Sequence, residues 1–343
     1  MSFCQDEFLT NLICHQHITC SISITNCVQK ERISHELSKE NRKFSESQTM
    51  WRSNLSFTLL LLSTITTTTT AKILYANTSS ELTSALKKAK PGDVVTLLPV
   101  DYVGDFVLPD HTDKDNATSN DATTLLGTQS EDFQRHSTII SSTGTGISIT
   151  AHRRPWNVKS LVIQSNDTGV KIRGNNHVIQ SVVIRASKVA AVIKGDNIVL
   201  NSTVISNGEK GVILGGNDNV VKSVALNGLS KSGIVVQTGS AGTQIRSVST
   251  QMLTGNSLIL QNGTKGTNVH STTFNAIANL DGDDGKFASC VFTGVNLSGC
   301  RNKFSATVIQ NLYEETSDDN STNCNNIFEK TCVIGNESND PLD

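Results

Sequence analysis

Several features that would mark a function class are scarce in this chain of 343 residues. No charge of one sign dominates: 29 Lys and Arg stand against 31 Asp and Glu, a formal net charge of -2, so the overall balance points to neither nucleic acid nor an anionic membrane as a partner. The one apolar run that stands out, Leu55 to Ile65, is too short to span a bilayer. Two Trp and three Tyr leave few aromatic platforms for stacking on sugar rings, and Trp156 is assigned to packing. A hydrophobic share of 36% is low for a thick core, so the core is expected to be thin and elongated. The early cysteines, Cys4, Cys14, Cys20 and Cys27, lack the gap of about two to four residues that structural zinc sites use.

What is present begins at Met50. The segment MWRSNLSFTLLLLSTITTTTTA has one positive charge at Arg52, a short apolar run and small residues up to Ala71, which reads as a secretory signal over 50–71. Residues 1–49 are then an upstream extension or a disordered segment. Export places Cys290, Cys300, Cys324 and Cys332 in an oxidising compartment, where two disulfides are expected; neighbours in sequence, Cys290 with Cys300 and Cys324 with Cys332, are favoured among the three pairings. Eight Asn-x-Ser/Thr sequons after residue 71 fit a secreted, extracellular glycoprotein, expected to be a monomer with no membrane contact after signal cleavage.

The strongest signal is a repeat. NHVIQSVVIRASKVAAVIKGD, 176–196, is followed at once by NIVLNSTVISNGEKGVILGGN, 197–217. Aligned on the shared serine, the series Ser160, Ser181, Ser202, Ser223, Ser247, Ser271 and Ser289 appears, with steps of 21, 21, 21, 24, 24 and 18. Two places before each serine stand Val158, Ile179, Leu200, Val221, Ile245, Val269 and Phe287, and three places after it Ile163, Ile184, Ile205, Leu226, Thr250, Phe274 and Phe292. Short β-branched strands punctuated by Gly, Asn and Asp cannot each bury an apolar face, but stacked at about 4.8 Å they share one. The expected architecture is all-β: a right-handed parallel β-helix, one coil per repeat, with its coils over 137–295. SSELTSALKKAKPGDVVTLLP supplies an N-terminal cap: a helix started by Ser79 or Ser80, with Leu82, Ala85, Leu86 and Ala89 on one face, within a cap and first strands over 72–108. Residues 109–136 read as a polar loop, and 296–343 as a disulfide-pinned C-terminal cap and tail.

ELTSALKKAKPGDVVTL followed by DYVGDFVL resembles the entry of secreted pectin-lyase-like β-helix proteins, and PWNVKSLVIQSNDTGVKIRGNNHVIQSVVI, 155–184, is similar to their coils. The resemblance spans roughly 73–295 and implies a right-handed solenoid of a superfamily that holds lyases, hydrolases, esterases and proteins without a known reaction. The catalytic signatures of its enzymes are incomplete here. GDDG at 282–285 offers a paired aspartate without the Asn-Thr-Asp and Gly-His-Gly segments of the polygalacturonase-like hydrolases. HRRPWN at 152–157 echoes the Arg-x-Pro-x-x-Arg segment of pectate lyases without its last arginine.

Elimination from an acidic sugar needs cations on the carboxylate and a base for the adjacent proton. The position before the aligned serine reads Lys159, Gln180, Asn201, Lys222, Arg246 and His270, so three basic side chains fall on successive coils. Lys222, Arg246 and His270 are the catalytic candidates, against the alternative that they are ordinary outward residues of a β-surface. Asp281, Asp283 and Asp284, in DGDDG, have the carboxylate spacing of a calcium loop, against a plain solvated turn. Gln164, Arg185, Ser206, Asn227, Gln251 and Asn275 form a polar row whose side chains are expected to hydrogen-bond one another between coils. Together these point to a secreted lyase of an acidic polysaccharide; the alternative is a non-catalytic extracellular β-helix that binds glycans or builds a surface.

Overall fold

A computed structural model describes residues 71–110, 121–128, 137–152, 154–314 and 324–336, all in the unit that begins at Thr69. The signal segment and the four early cysteines lie outside the described residues. In a strand, alternate side chains face opposite ways, so a repeat must supply one inward apolar row per strand and stack it on the next repeat. The register does this: Ile179 pairs with Val158 and Leu200, and Leu200 with Val221, all four buried. Among the described residues every strand pairing is parallel, and the strands wind through about 11 turns as a solenoid with one helix. Among the described residues no helix is long and apolar enough to cross a membrane.

Each turn passes through three sheets. Sheet I holds the strands Val94–Leu97, Thr123–Leu126, Gln244–Arg246, Asn268–His270, Lys286–Ala288, Lys303–Ser305 and Ile327–Glu329, with the first third of the long strands Val199–Gly215 and Val220–Val236 among them. Sheet II, which includes Asp101–Val103, Ile139–Ser142 and Ser249–Gln251, follows after a sharp bend, and sheet III, which includes Phe106–Leu108, Thr145–Ile149, Thr168–Arg173, Val189–Lys194 and Asn256–Leu260, closes the circuit. The bend is where the serine row sits. Ser160, Ser181, Ser202, Ser223, Ser247, Ser271 and Ser289 all have φ between 49 and 57°, the left-handed region that turns the chain without a longer loop. Ala306 and Lys330 adopt the same conformation, at 50 and 52°, and carry the row two coils further.

With that bend residue numbered zero, position −4 enters the interior and often carries a polar side chain. Asn219 accepts from the Ile198 N–H at 2.9 Å and donates to the Gly195 carbonyl at 2.9 Å, one coil below. Asn302 makes the equivalent pair with Gly285 N–H and Gly282 O. The Gly-Asp or Gly-Asn ending of each repeat has a related purpose. The Asn175 side chain accepts from Asp196 N–H, Asp196 from Asn217 N–H, and Asn217 from Ala241 N–H, stitching successive turns together. The glycine beside them is required sterically: a Cβ on Gly195 would lie 1.7 Å from the Gly174 carbonyl oxygen.

The helix Ser79–Lys88 buries Leu82, Ala85 and Leu86 against the first coil. Its N-cap is Thr78, one residue before the expected serines, because Thr78 Oγ1 accepts from Glu81 N–H while Glu81 Oε2 accepts from Asn77 N–H. Ser79 instead accepts from Val103 N–H.

Three expectations need correction. The stretch 109–136 contains the sheet I strand Thr123–Leu126, whose inward Leu125 is fully buried between Val95 and Val158. Coils also continue past residue 295, through Lys303–Ser305, Val308–Glu314, Ile327–Glu329 and Cys332–Asn336. Phe287, Phe304 and Phe328 stack there at 4.7 and 4.9 Å, so the ladder persists after the serine has been replaced. Finally, the disulfide joins Cys300 to Cys324, leaving Cys290 buried and Cys332 exposed as free thiols. In a solenoid, contact follows the coil period and not nearness in sequence. Cys300 and Cys324 are equivalent places on successive turns, each three residues before a sheet I strand, with Cα atoms 4.6 Å apart.

Candidate functional site

The residues before the bend face solvent on sheet I. Lys222 is the direct strand partner of Arg246, and Arg246 of His270; all three are exposed. None makes an ion pair among the described residues. At a strand spacing of about 4.8 Å, adjacent full charges repel by about 1 kcal/mol even in bulk water, a cost that a bound anion reverses. The His270 ring is oriented locally: its Nδ1 lies 2.6 Å from Ser271 Oγ.

The strip does not end at His270. Two positions earlier on the same face, Asn268 pairs with Lys286 and Lys286 with Lys303, so the positive charge steps sideways and continues for two more coils. Lys303 is engaged by Glu329 at 2.8 Å, which closes that end of the strip. Sequence reasoning missed both lysines because it followed a single row. The signal was available: in KFA and KFS the lysine lies two residues before the place aligned with His270, hence on the same face of the pleat.

A concave feature lies at the corner between sheets II and III. It is a groove of about 530 Å³ whose lining includes Ser141, Gln164, Arg185, Ser187 and Asn207 from successive coils. Part of the polar row noted in the sequence therefore lines a groove. Among the described residues no hydrogen bond joins two members of that row; Asn275 instead meets Thr250 of the neighbouring inward row, at 2.9 Å.

No protein-family model matches the sequence, and no curated protein matches it. Solved structures do match. A protein of Geobacillus virus E2 aligns over 78% of this chain and 60% of its own length, with a TM-score of 0.51 and 11% identity. The shared fold is a parallel β-helix. Two further matches are an alginate lyase of Paenibacillus sp. FPU-7 and a tailspike protein of Acinetobacter baumannii bacteriophage Fri1, a capsular polysaccharide depolymerase. The alginate lyase aligns over 76% of this chain and 99% of its own at TM-score 0.37 and 15% identity. The tailspike aligns over 80% of this chain and 62% of its own at 0.49 and 12%. At these identities the likeness is one of fold.

Within the β-helix, Asp281, Asp283 and Asp284 bond to the coil that follows. Each reaches the residue seventeen places on, one coil away: Asp281 accepts from the Ser298 hydroxyl at 2.6 Å, Asp283 from Cys300 N–H at 2.8 Å, and Asp284 from Arg301 Nε at 2.7 Å. The guanidinium of Arg301 holds the Asp284 carboxyl below its usual pKa. Asp281 and Asp283 line one cavity with Asn262 and Ser298, and among the described residues no group of three His, Cys, Asp or Glu side chains is arranged to hold a metal ion. Trp156 is fully buried and donates from Nε1 to Pro109 O at 3.1 Å, the packing role its scarcity suggested.

Proposed function

We propose that this β-helix is a secreted protein that binds an acidic polysaccharide along sheet I, the polymer running across the coils so that Lys222, Arg246 and His270 meet its carboxylates. The observation that carries this is the register, which sets three unpaired basic side chains on consecutive strands. Acidic polysaccharide is the kind of molecule on which the alginate lyase is named as acting; the support here is the strip itself. Exposed charges on an open sheet attract a polyanion through a salt-screened field, so binding should weaken as ionic strength rises.

Cleavage by β-elimination is a second reading, favoured by the contact between His270 and Ser271. Arg246 would offset the substrate carboxylate, His270 would take the proton beside it, and the bond to the leaving sugar would break as the double bond forms.

One experiment separates these readings. Purified protein is titrated with pectate, alginate, hyaluronan and chondroitin, with and without calcium to test the ion expected at Asp281, Asp283 and Asp284, while the absorbance of unsaturated product is followed. Binding of at least one polymer, lowered about tenfold or more when Lys222, Arg246 and His270 are all changed to Ala, is the expected result. Failure to bind all four removes the proposal. A product signal that survives the triple substitution removes the assignment of the site. N-terminal sequencing of exported material tests the signal over 50–71.

A further inference from the structure

The groove between sheets II and III is built by the register and not by a loop. Val103, Ser141, Gln164 and Arg185 are strand partners in sequence, one per coil, and the following residues of each coil form the opposite wall. Its polar groups divide into two kinds. Ser142 and Ser165 are used by the fold: Ser142 bonds the Asp105 carboxylate, and Ser165 donates to the Gly144 carbonyl at 2.5 Å. Gln164 and Arg185 are not. Neither bonds its neighbour in the row, and Arg185 makes no ion pair among the described residues. The nearby acids are committed elsewhere, Asp105 to Ser142 and Asp167 to Lys188 at 3.1 Å, and among the described residues no carboxylate lines the groove. Val103, 70% exposed, gives the end of the row an apolar surface.

We propose that this groove is a binding site for a short acidic saccharide, separate from the strip on sheet I. Its recognition follows from chemistry. The guanidinium of Arg185 presents a planar fork that matches a carboxylate and, among the described residues, is the one charge lining the groove. Gln164, Ser141 and Asn207 offer donors and acceptors for ring hydroxyls, and Val103 a surface for the C–H face of a sugar. A neutral sugar would leave Arg185 unmatched, and a highly charged anion would find a single cation. The groove therefore selects one uronate unit with its neighbours, whereas the strip meets charges along a polymer.

The test uses the full chain made in a bacterial host, so that the sequon at Asn166 beside the groove carries no glycan. Trimers of galacturonate, mannuronate and glucuronate, and their methyl esters, are titrated by calorimetry into the wild type, Arg185→Ala, Arg185→Lys and the triple Lys222, Arg246, His270 to Ala variant. The expected result is that at least one acidic trimer binds, that Arg185→Ala weakens it about tenfold or more with an unchanged melting temperature, that Arg185→Lys restores only part, and that the ester binds the wild type no better than the acid binds Arg185→Ala. The triple variant should bind the trimer as the wild type does. Trimer binding within twofold of wild type in Arg185→Ala, equal binding of acid and ester, or no binding of all three acids overturns the inference. Loss of trimer binding in the triple variant alone would assign it to the strip and overturns it equally. If long polymers fail to bind while the trimer depends on Arg185, the reading of sheet I falls and the groove stands.

Discussion

At position −4, His177 does the work of Asn219 and Asn302 with a titratable ring. Its Nδ1 accepts from Trp156 N–H at 2.9 Å, and its Nε2 lies 2.9 Å from the Ala151 carbonyl, an arrangement that requires the neutral tautomer with the proton on Nε2. Burial pushes its pKa below the usual value, against the opposing pull of the Ala151 carbonyl. Because the folded protein holds His177 neutral, its contribution to stability is complete above about pH 6.5, where the unfolded ring is neutral too, and is lost as the pH falls below that. His177→Asn keeps both kinds of bond without the titration. It is expected to cost about 1 kcal/mol near pH 7.5 from imperfect fit, and to lose less stability than wild type on going to pH 5, read from urea midpoints at both values. A steeper acid loss in the variant would contradict this account. The bend serines make a second residue-level case. At Ser223, φ is 55° and the side chain is exposed; Ser223→Gly should be neutral or stabilising by up to about 1 kcal/mol, and Ser223→Val should destabilise by about 1–2 kcal/mol, since a β-branched residue fits the left-handed region worst. The serine period was plain in the sequence. Its conformation was not, because Ser is less familiar than Gly or Asn at such a bend.

Elements were legible where the repeat was regular and lost where its letters changed. The helix, the Pro-Gly-Asp turn and the inward rows from Val158 to Phe287 could be read from period and polarity alone. The last two coils could not, since Ala306 and Lys330 replace the serine and the spacing alters again, although the interior row continues as Phe304 and Phe328. The cysteine pairing failed for the same reason: without those coils, Cys300 and Cys324 are not recognised as equivalent places. The bridge closes a separation of 24 residues and holds the final turn to the one before it, so Cys300→Ser with Cys324→Ser should cost about 3 kcal/mol, measured by chemical unfolding. The free thiols should differ in reactivity. Cys332 is exposed, and alkylation of the folded protein should modify it. Cys290 is buried, with its thiol pushed up to about 11 by burial, and should react only after unfolding. Peptide mapping that finds Cys290 linked to Cys300 would refute the pairing described above.

On the scale of the whole molecule, the solenoid makes every coil a neighbour of only two others, which is why one sequence period could yield both the fold and the strip. It also explains why the groove stayed hidden: it lies where two sheets meet at a corner, and an alignment that follows one row at a time does not show which rows converge there. The same nearest-neighbour logic predicts that a coil can be removed. Val178 pairs with Val199, and Val199 with Val220, at steps of 21 residues. Excision of 197–217 therefore brings Val178 opposite Val220, Ile179 opposite Val221 and Gln180 opposite Lys222 without a shift of register. Asn219, which now accepts from Ile198 N–H and donates to Gly195 O, would meet the His177 N–H and the Gly174 carbonyl in equivalent places. Lys222, Arg246 and His270 remain on consecutive strands. The shortened protein should fold cooperatively with an unchanged β-type circular dichroism spectrum, be shorter along its axis by about one strand spacing, 4.8 Å, and keep its affinity for acidic polymer. Removal of 197–213 instead, four residues short of a coil, breaks the register by an even number and leaves faces correct but turns misplaced; it should unfold at a markedly lower urea concentration. Equal stability of the two deletions would mean that the coils do not communicate through register, and the strip would lose its basis with them.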